Sequence, residues 1–326
     1  MSTERCEIGG YIELETFSGE PYHKDVIALN CGRDCFEYLL ELRKPTAVWM
    51  PAWMCDCQFQ VCERMDVSVK WYEVGLDMRP IYDFEVAPGE YLYLVDYYGQ
   101  LNFEDIERAR QVSSRCLFVD EAQAFFRLPW VGTDTFYTCR KFFGVADGAY
   151  LYTGDGKTLE REIPRAESYD RMGFVLGRYE RSAVEFYVES SENNECFENM
   201  PLMRMSKLTE NLMRAIDYDG VSSRRRDNFE FLHNGLSEYN LLTNLRVLDG
   251  SFMYPLLVKD SGDIRLALAA EGVFVPTLWP NCVADMSETN SVAYKYSKNI
   301  LPLPVDQRYG LDEMKLMLER LLACLL

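Results

Sequence analysis

The sequence predicts an α/β protein, with a mostly parallel sheet between helices followed by a smaller α+β carboxy-terminal domain. Three observations carry this. Apolar strand-like runs alternate with amphipathic helical stretches between residues 34 and 122, the order that builds parallel sheets covered on both faces. From about Met205 the alternation gives way to a helix-rich stretch and a few short strands. The chain, 326 residues and 48% hydrophobic, is long enough for a large domain and a smaller one,.

Taken in order, DCFEYLLEL (34–42) places apolar residues at helical spacing, and TAVWM (46–50) reads as a buried strand,. VSVKWYEV (67–74) is a second strand, and YLYLVDYY (91–98), entered from a Pro-Gly pair, a third,. FEDIERARQV (103–112) is an amphipathic helix and RCLFVDEA (115–122) is strand again. ESSENNECFENM (189–200) reads as an exposed loop. Helices fill the stretch from Met205 to Leu236, short strands lie around FMYPLLVKD (252–260), and DEMKLMLERLLACLL (312–326) is a closing helix. These changes divide the chain into a large domain, 1–205, and a small one, 206–326.

Composition removes several classes of partner. A formal charge of −18 repels polyanions, so neither nucleic acid nor an anionic membrane is expected,. The basic run Arg224-Arg225-Arg226 reads as a solvated helix face,. Eleven cysteines in a large chain, with no charged start followed by an apolar run, indicate a reducing, cytoplasmic setting,. The spacing of Cys55, Cys57 and Cys62 is no standard zinc pattern, and His23 and His233 are the only imidazoles, so no metal is expected,. LLACLL at the end is too short to span a membrane,.

The chemistry is concentrated at two predicted strand ends. Asp120 closes RCLFVDEAQAFF, with Gln123 three residues on, and Lys141 follows FYTC. A lysine among aromatics is costly to desolvate while charged, so it either reaches water along its stem or is held for chemistry. An acid and a lysine from separate βα units, brought to one sheet rim, match a pyridoxal phosphate site, where the amine condenses with the aldehyde and the acid keeps the ring nitrogen protonated. Each residue also has a plainer reading. Asp120 could cap a following helix, and Lys141 could lay its stem on Phe142.

VDEAQAF followed by RKFFGVADGAYL resembles the DegT/DnrJ/EryC1/StrS family of sugar aminotransferases. The likeness continues in order along nearly the whole chain: ALNCGRDCFEYLL (28–40), VWMPAW (48–53), VDYYGQLNFEDI (95–106), RMSKL (204–208) and LPLPVDQRY (301–309) each resemble a family segment. It implies a fold-type-I enzyme using pyridoxal 5'-phosphate, dimeric, that moves an amino group, with glutamate as donor, onto a keto sugar carried on a nucleotide.

The same resemblance assigns residues. Lys141 would carry the cofactor and move protons, Asp120 would pair with the ring nitrogen, and Gln123 would bond the ring's 3′ oxygen. Gly32 and Arg33, where the loop enters the first helix, would offer backbone N–H groups to the phosphate, with Thr138 supplying a hydroxyl. The family's Ser-Gly-Thr turn is here Cys31-Gly32-Arg33, a hydroxyl exchanged for a guanidinium. The aromatic that covers the ring in relatives falls at Cys55, so Trp53, two residues earlier, is expected to take its place. The partner-subunit asparagine of relatives matches Leu202, with Asn199 nearby. Arg140 would lower the lysine's pKa only if both pointed inward, and neighbours on an extended chain point to opposite faces. A dehydrating offshoot replaces the lysine with histidine, and Lys141 argues against that chemistry. The alternative is a catalytically silent relative that binds pyridoxal phosphate or a nucleotide sugar as a sensor or partner.

Overall fold

A computed structural model describes residues 8–284 and 289–325. The first half runs β1 (Ile27–Leu29), α1 (Gly32–Arg43), β2 (Ala47–Pro51), α2 (Cys57–Arg64), β3 (Ser68–Tyr72), β4 (Glu90–Val95), α3 (Phe103–Val112), β5 (Leu117–Asp120), β6 (Asp134–Thr138) and β7 (Ala149–Tyr152). These strands form one seven-stranded sheet in the order β1-β7-β6-β5-β4-β2-β3. Strands β2 to β6 are parallel, and β7 runs antiparallel to both β6 and β1. The central strands β4 and β5 are apolar at their centres, because a strand covered by helices on both faces has no solvent side to offer polar residues,. Leu92, Leu94, Leu117, Phe118 and Val119 are accordingly all buried, with Phe36 and Leu39 of α1 beside them.

Helix α3 covers the ten residues expected of it. Its start is set by a capping box, in which the Asn102 side chain accepts from the Asp105 N–H at 3.0 Å and the Asp105 carboxylate accepts from the Asn102 N–H at 2.8 Å,. Register then positions the strand ends. Asp120 lies opposite Val95 on one side and Phe136 on the other, at the carboxyl edge where open α/β sheets gather ligands,.

The second half holds α4 (Gly173–Glu180), α5 (Tyr187–Glu195), α6 (Lys207–Met213), α7 (Tyr218–Leu236), β8 (Met253–Leu257), α8 (Gly262–Ala270), α9 (Asn281–Ala284), α10 (Val292–Asn299), β9 (Ile300–Pro304) and α11 (Leu311–Leu325). Strands β8 and β9 form a separate antiparallel pair. Among the described residues no helix is long and apolar enough to cross a membrane.

Two sequence expectations need correction. Residues 189–200 are not an exposed loop, since α5 runs to Glu195 and a short 3-10 turn continues to Glu198. Asn193 and Phe197, one helical turn apart, are both buried, and the Asn193 amide donates to the Ala146 carbonyl at 2.9 Å. Sparse apolar anchors in a polar sequence hid the helix. Nor is the arginine run uniformly solvated. Arg224 is exposed, but Arg225, a 100° step around α7, is 1% exposed,. Its guanidinium donates to the carbonyls of Phe142, Ser251 and Phe252 and to Gln307 Oε1. Burial lowers its pKa to about 10. This arginine fastens the segment after Lys141 to the β8 region.

Candidate active site

Asp120 is held by two donors at the end of β5. Tyr93 Oη, from the neighbouring β4, donates to Oδ2 at 2.7 Å, and the Ala122 N–H donates to Oδ1 at 2.8 Å. Burial raises the pKa of this carboxyl, while the Lys141 charge and the two donors oppose the rise. No helix follows directly, because residues 121–127 form turns, so the carboxylate caps nothing longer than a bend. It is oriented rather than consumed by local structure.

Lys141 sits in the turn after β6, exposed to the cleft, with Nζ 5.7 Å from the centroid of the Phe252 ring. Its charge acts on Asp120, Cys55 and Cys57. Phe142 is buried, and the lysine leans over Phe252 instead. Arg140 turns the other way. Its guanidinium lies 4.5 Å from the Phe197 ring centroid and donates to Asn194 Oδ1.

The remaining candidates divide by what already occupies them. Gln123 accepts from the Tyr98 N–H at 2.8 Å through Oε1, which supports Tyr98 in a left-handed conformation at φ 54° and leaves the amide nitrogen to donate elsewhere,. Thr138 closes β6, buried. Cys31 is the N-cap of α1, with no side-chain capping bond. A Cβ added at Gly32 would meet nothing nearer than 3.9 Å, so the turn stands open at the helix N-terminus. Beside it Arg33 Nε is buried, with no hydrogen-bond partner among the described residues.

Trp53 is where the sequence reading needs revising. The indole is 1% exposed and stacks on Tyr97 with centroids 4.3 Å apart. Trp279 and Tyr296 meet it edge-on, and its Nε1 donates to Ser297 Oγ at 3.0 Å. A ring so enclosed cannot also cover a ligand beside Lys141. Cys55 shares the lysine's space, with its Sγ 2.6 Å from Cys57 Sγ at the start of α2. The contact with Cys57 lowers the Cys55 thiol pKa, and the partner's rises. Leu202 is part of the core and Asn199 is exposed.

Sequence reasoning missed Tyr93, whose place next to Asp120 is fixed by β4–β5 pairing. It also missed Phe252, Arg171 and Phe197, which reach the region only through tertiary packing. The one available signal was the apolar run of β4 itself, which predicts a strand buried on both faces and so a buried Tyr93.

The parallel sheet with its one reversed strand has the fold of fold-type-I aminotransferases, with Asp120 at the end of β5 and Lys141 in the turn after β6. Among solved structures the chain has the fold of a sugar aminotransferase, CalS13, from Micromonospora echinospora, at 15% identity over 92% of this chain and 87% of that one, with a TM-score of 0.63. It is similar to a putative sugar aminotransferase, Spr1654, from Streptococcus pneumoniae in its PLP form, at 14% identity, 96% and 93% coverage and a TM-score of 0.64. A DegT DnrJ EryC1 StrS aminotransferase from Brucella abortus matches at 13% identity, 92% and 85% coverage and a TM-score of 0.63. No family profile and no curated protein matches the chain.

Proposed function

We propose that the protein is a pyridoxal 5'-phosphate-dependent aminotransferase. Its substrate would be a nucleotide-linked keto sugar, its amino donor glutamate, and its working form a cytoplasmic homodimer with residues 1–205 as the cofactor domain. The observation that carries the reading is Asp120, oriented by Tyr93 and Ala122 and acting across one cleft on Lys141. The donor set fits the cofactor, since a carboxylate, an amine, an amide and an unpartnered buried guanidinium nitrogen would suit its ring nitrogen, aldehyde, 3′ oxygen and phosphate,. When bound, the group supplies an electron sink for a breaking C–H bond.

The chain's own residues do the rest. Asp120 holds the proton at the ring nitrogen, and the positive ring in turn favours the ionised carboxylate against its burial,. Lys141 Nζ is the amine that anchors and the base that carries a proton across the reacting carbon. Gln123 donates from its amide nitrogen. Gly32, Arg33 and Thr138 would hold the phosphate, and Cys55 would lie along the ring.

Borohydride added to the cofactor-loaded protein should fix the group on the peptide containing Lys141, and Lys141→Ala should take up none covalently. Labelling of a different lysine would defeat the assignment. The buried Leu202 and the Cys31-Gly32-Arg33 turn favour the silent binder as a second reading. Conversion to the pyridoxamine form on adding glutamate separates the two, because only the enzyme performs it.

A further inference from the structure

Three half-buried arginines lie near the α1 N-terminus. Arg33, Arg140 and Arg171 form no ion pair with a carboxylate among the described residues, although the chain carries 52 acidic residues against 34 basic ones. A cluster of guanidinium groups that carboxylates leave alone despite being in excess is favourable ground for an anion from outside. We infer that Arg140 and Arg33 clamp the cofactor phosphate from two sides, and that Arg171, Phe197 and Asn194 hold Arg140 in position. The inference rests on the pyridoxal phosphate reading above.

The geometry runs through Cys31 and Phe197. Arg33 lies in the first turn of α1, whose first N–H groups have no intrahelical partner, and its charge and that of Arg140 both reach the thiol of Cys31, the α1 N-cap,. Arg140 and Arg171 share the ring of the buried Phe197, at 4.5 and 5.2 Å from its centroid,. Arg171 spends its own donors on Asn193 Oδ1, Cys196 Sγ and the Glu167 carbonyl, which makes it a positioning residue. Among the described residues Arg140 donates only to Asn194. Burial and the charges of Arg33 and Arg171 lower the pKa of Arg140, a cost that a dianion between them reverses,. The clamp is built within one chain, from the α1 turn, the lysine-bearing turn and the helical segment carrying Phe197.

The test compares pyridoxal 5'-phosphate with pyridoxal, which lacks the phosphate, by the visible absorbance each develops on full-length protein. Arg140→Gln should weaken the phosphate ester by about 10- to 100-fold, the worth of a charge-assisted hydrogen bond, and leave pyridoxal within about 2-fold, which also shows the variant is folded. Arg33→Gln should behave alike, and Arg140→Lys should lose less than Arg140→Gln. Arg171→Gln should show a weaker form of the same phosphate-selective loss. Inorganic phosphate should compete with the ester on wild type and compete poorly on Arg140→Gln or Arg140→Lys. Equal weakening of both aldehydes, or an ester affinity unchanged in Arg140→Gln, overturns the clamp while leaving Lys141 and its chemistry standing. Wild type that takes up neither aldehyde overturns the cofactor reading and the clamp together.

Discussion

Asp34 shows how one side chain can set a pH dependence. It lies in the first turn of α1, buried, accepting from the Met203 N–H at 3.2 Å. Burial pushes its pKa up to about 7, with Glu37 adding to the rise, while the Met203 bond, Cys31 and Arg64 oppose it. An unfolded aspartate titrates near 3.9. Between those values the folded state binds more protons than the unfolded one, so stability falls as pH rises through the window and levels off above it. Asp34→Asn keeps an oxygen for Met203 and removes the ionisation. Its gain over wild type in thermal unfolding should be small near about pH 4 and grow to a few kcal/mol, at most ~4, near about pH 8. A gain that does not change with pH would refute the assignment. At the same scale, Asp120 and Lys141 stood out in the sequence as an acid and an amine at predicted strand ends, and Gln123 through the family resemblance. Tyr93 did not, because its partner is chosen by strand register.

At the scale of elements, α7 carries the clearest lesson. Three consecutive arginines look equivalent in one dimension, yet the helix sends Arg225 into the protein and Arg224 to solvent. Arg225→Ala would strand the Phe142, Ser251 and Phe252 carbonyls and open a cavity, so urea unfolding should report a loss of ~3 kcal/mol or more. Arg224→Ala should stay within about 0.5 kcal/mol. Similar losses for both would show that Arg225 is not the fastening it appears in the fold. Helix α3 was legible to the residue because its capping box and periodicity are local. Helix α5 was not, because what stabilises it is Asn193 and Phe197 docking on distant segments.

Over the whole molecule, the two sheets are joined by side chains rather than by backbone pairing. Trp53 follows β2, while Trp279, Tyr296 and Ser297 come from the second half, and the Tyr296 hydroxyl donates to the Leu76 carbonyl at 2.7 Å. Trp53→Ala should cost ~3–5 kcal/mol as a buried aromatic deletion. If cofactor uptake per folded molecule survives that loss, Trp53 acts in packing alone; a variant of unchanged stability that fails to bind would return it to the ring. The aromatic-rich VWMPAW segment was recognisable, but whether Trp53 or Cys55 met the cleft depended on which face the second half covered.

The order of strands and helices, the parallel architecture and the pairing of Asp120 with Lys141 as chemical candidates followed from the chain alone, since periodicity and residue type belong to covalent neighbours. The enclosure of Trp53, the burial of Arg225 and the unpaired arginines around Phe197 were decided only in three dimensions. Their environment is made by residues far away in sequence, and burial, charge pairing and desolvation are properties of that environment rather than of the residue.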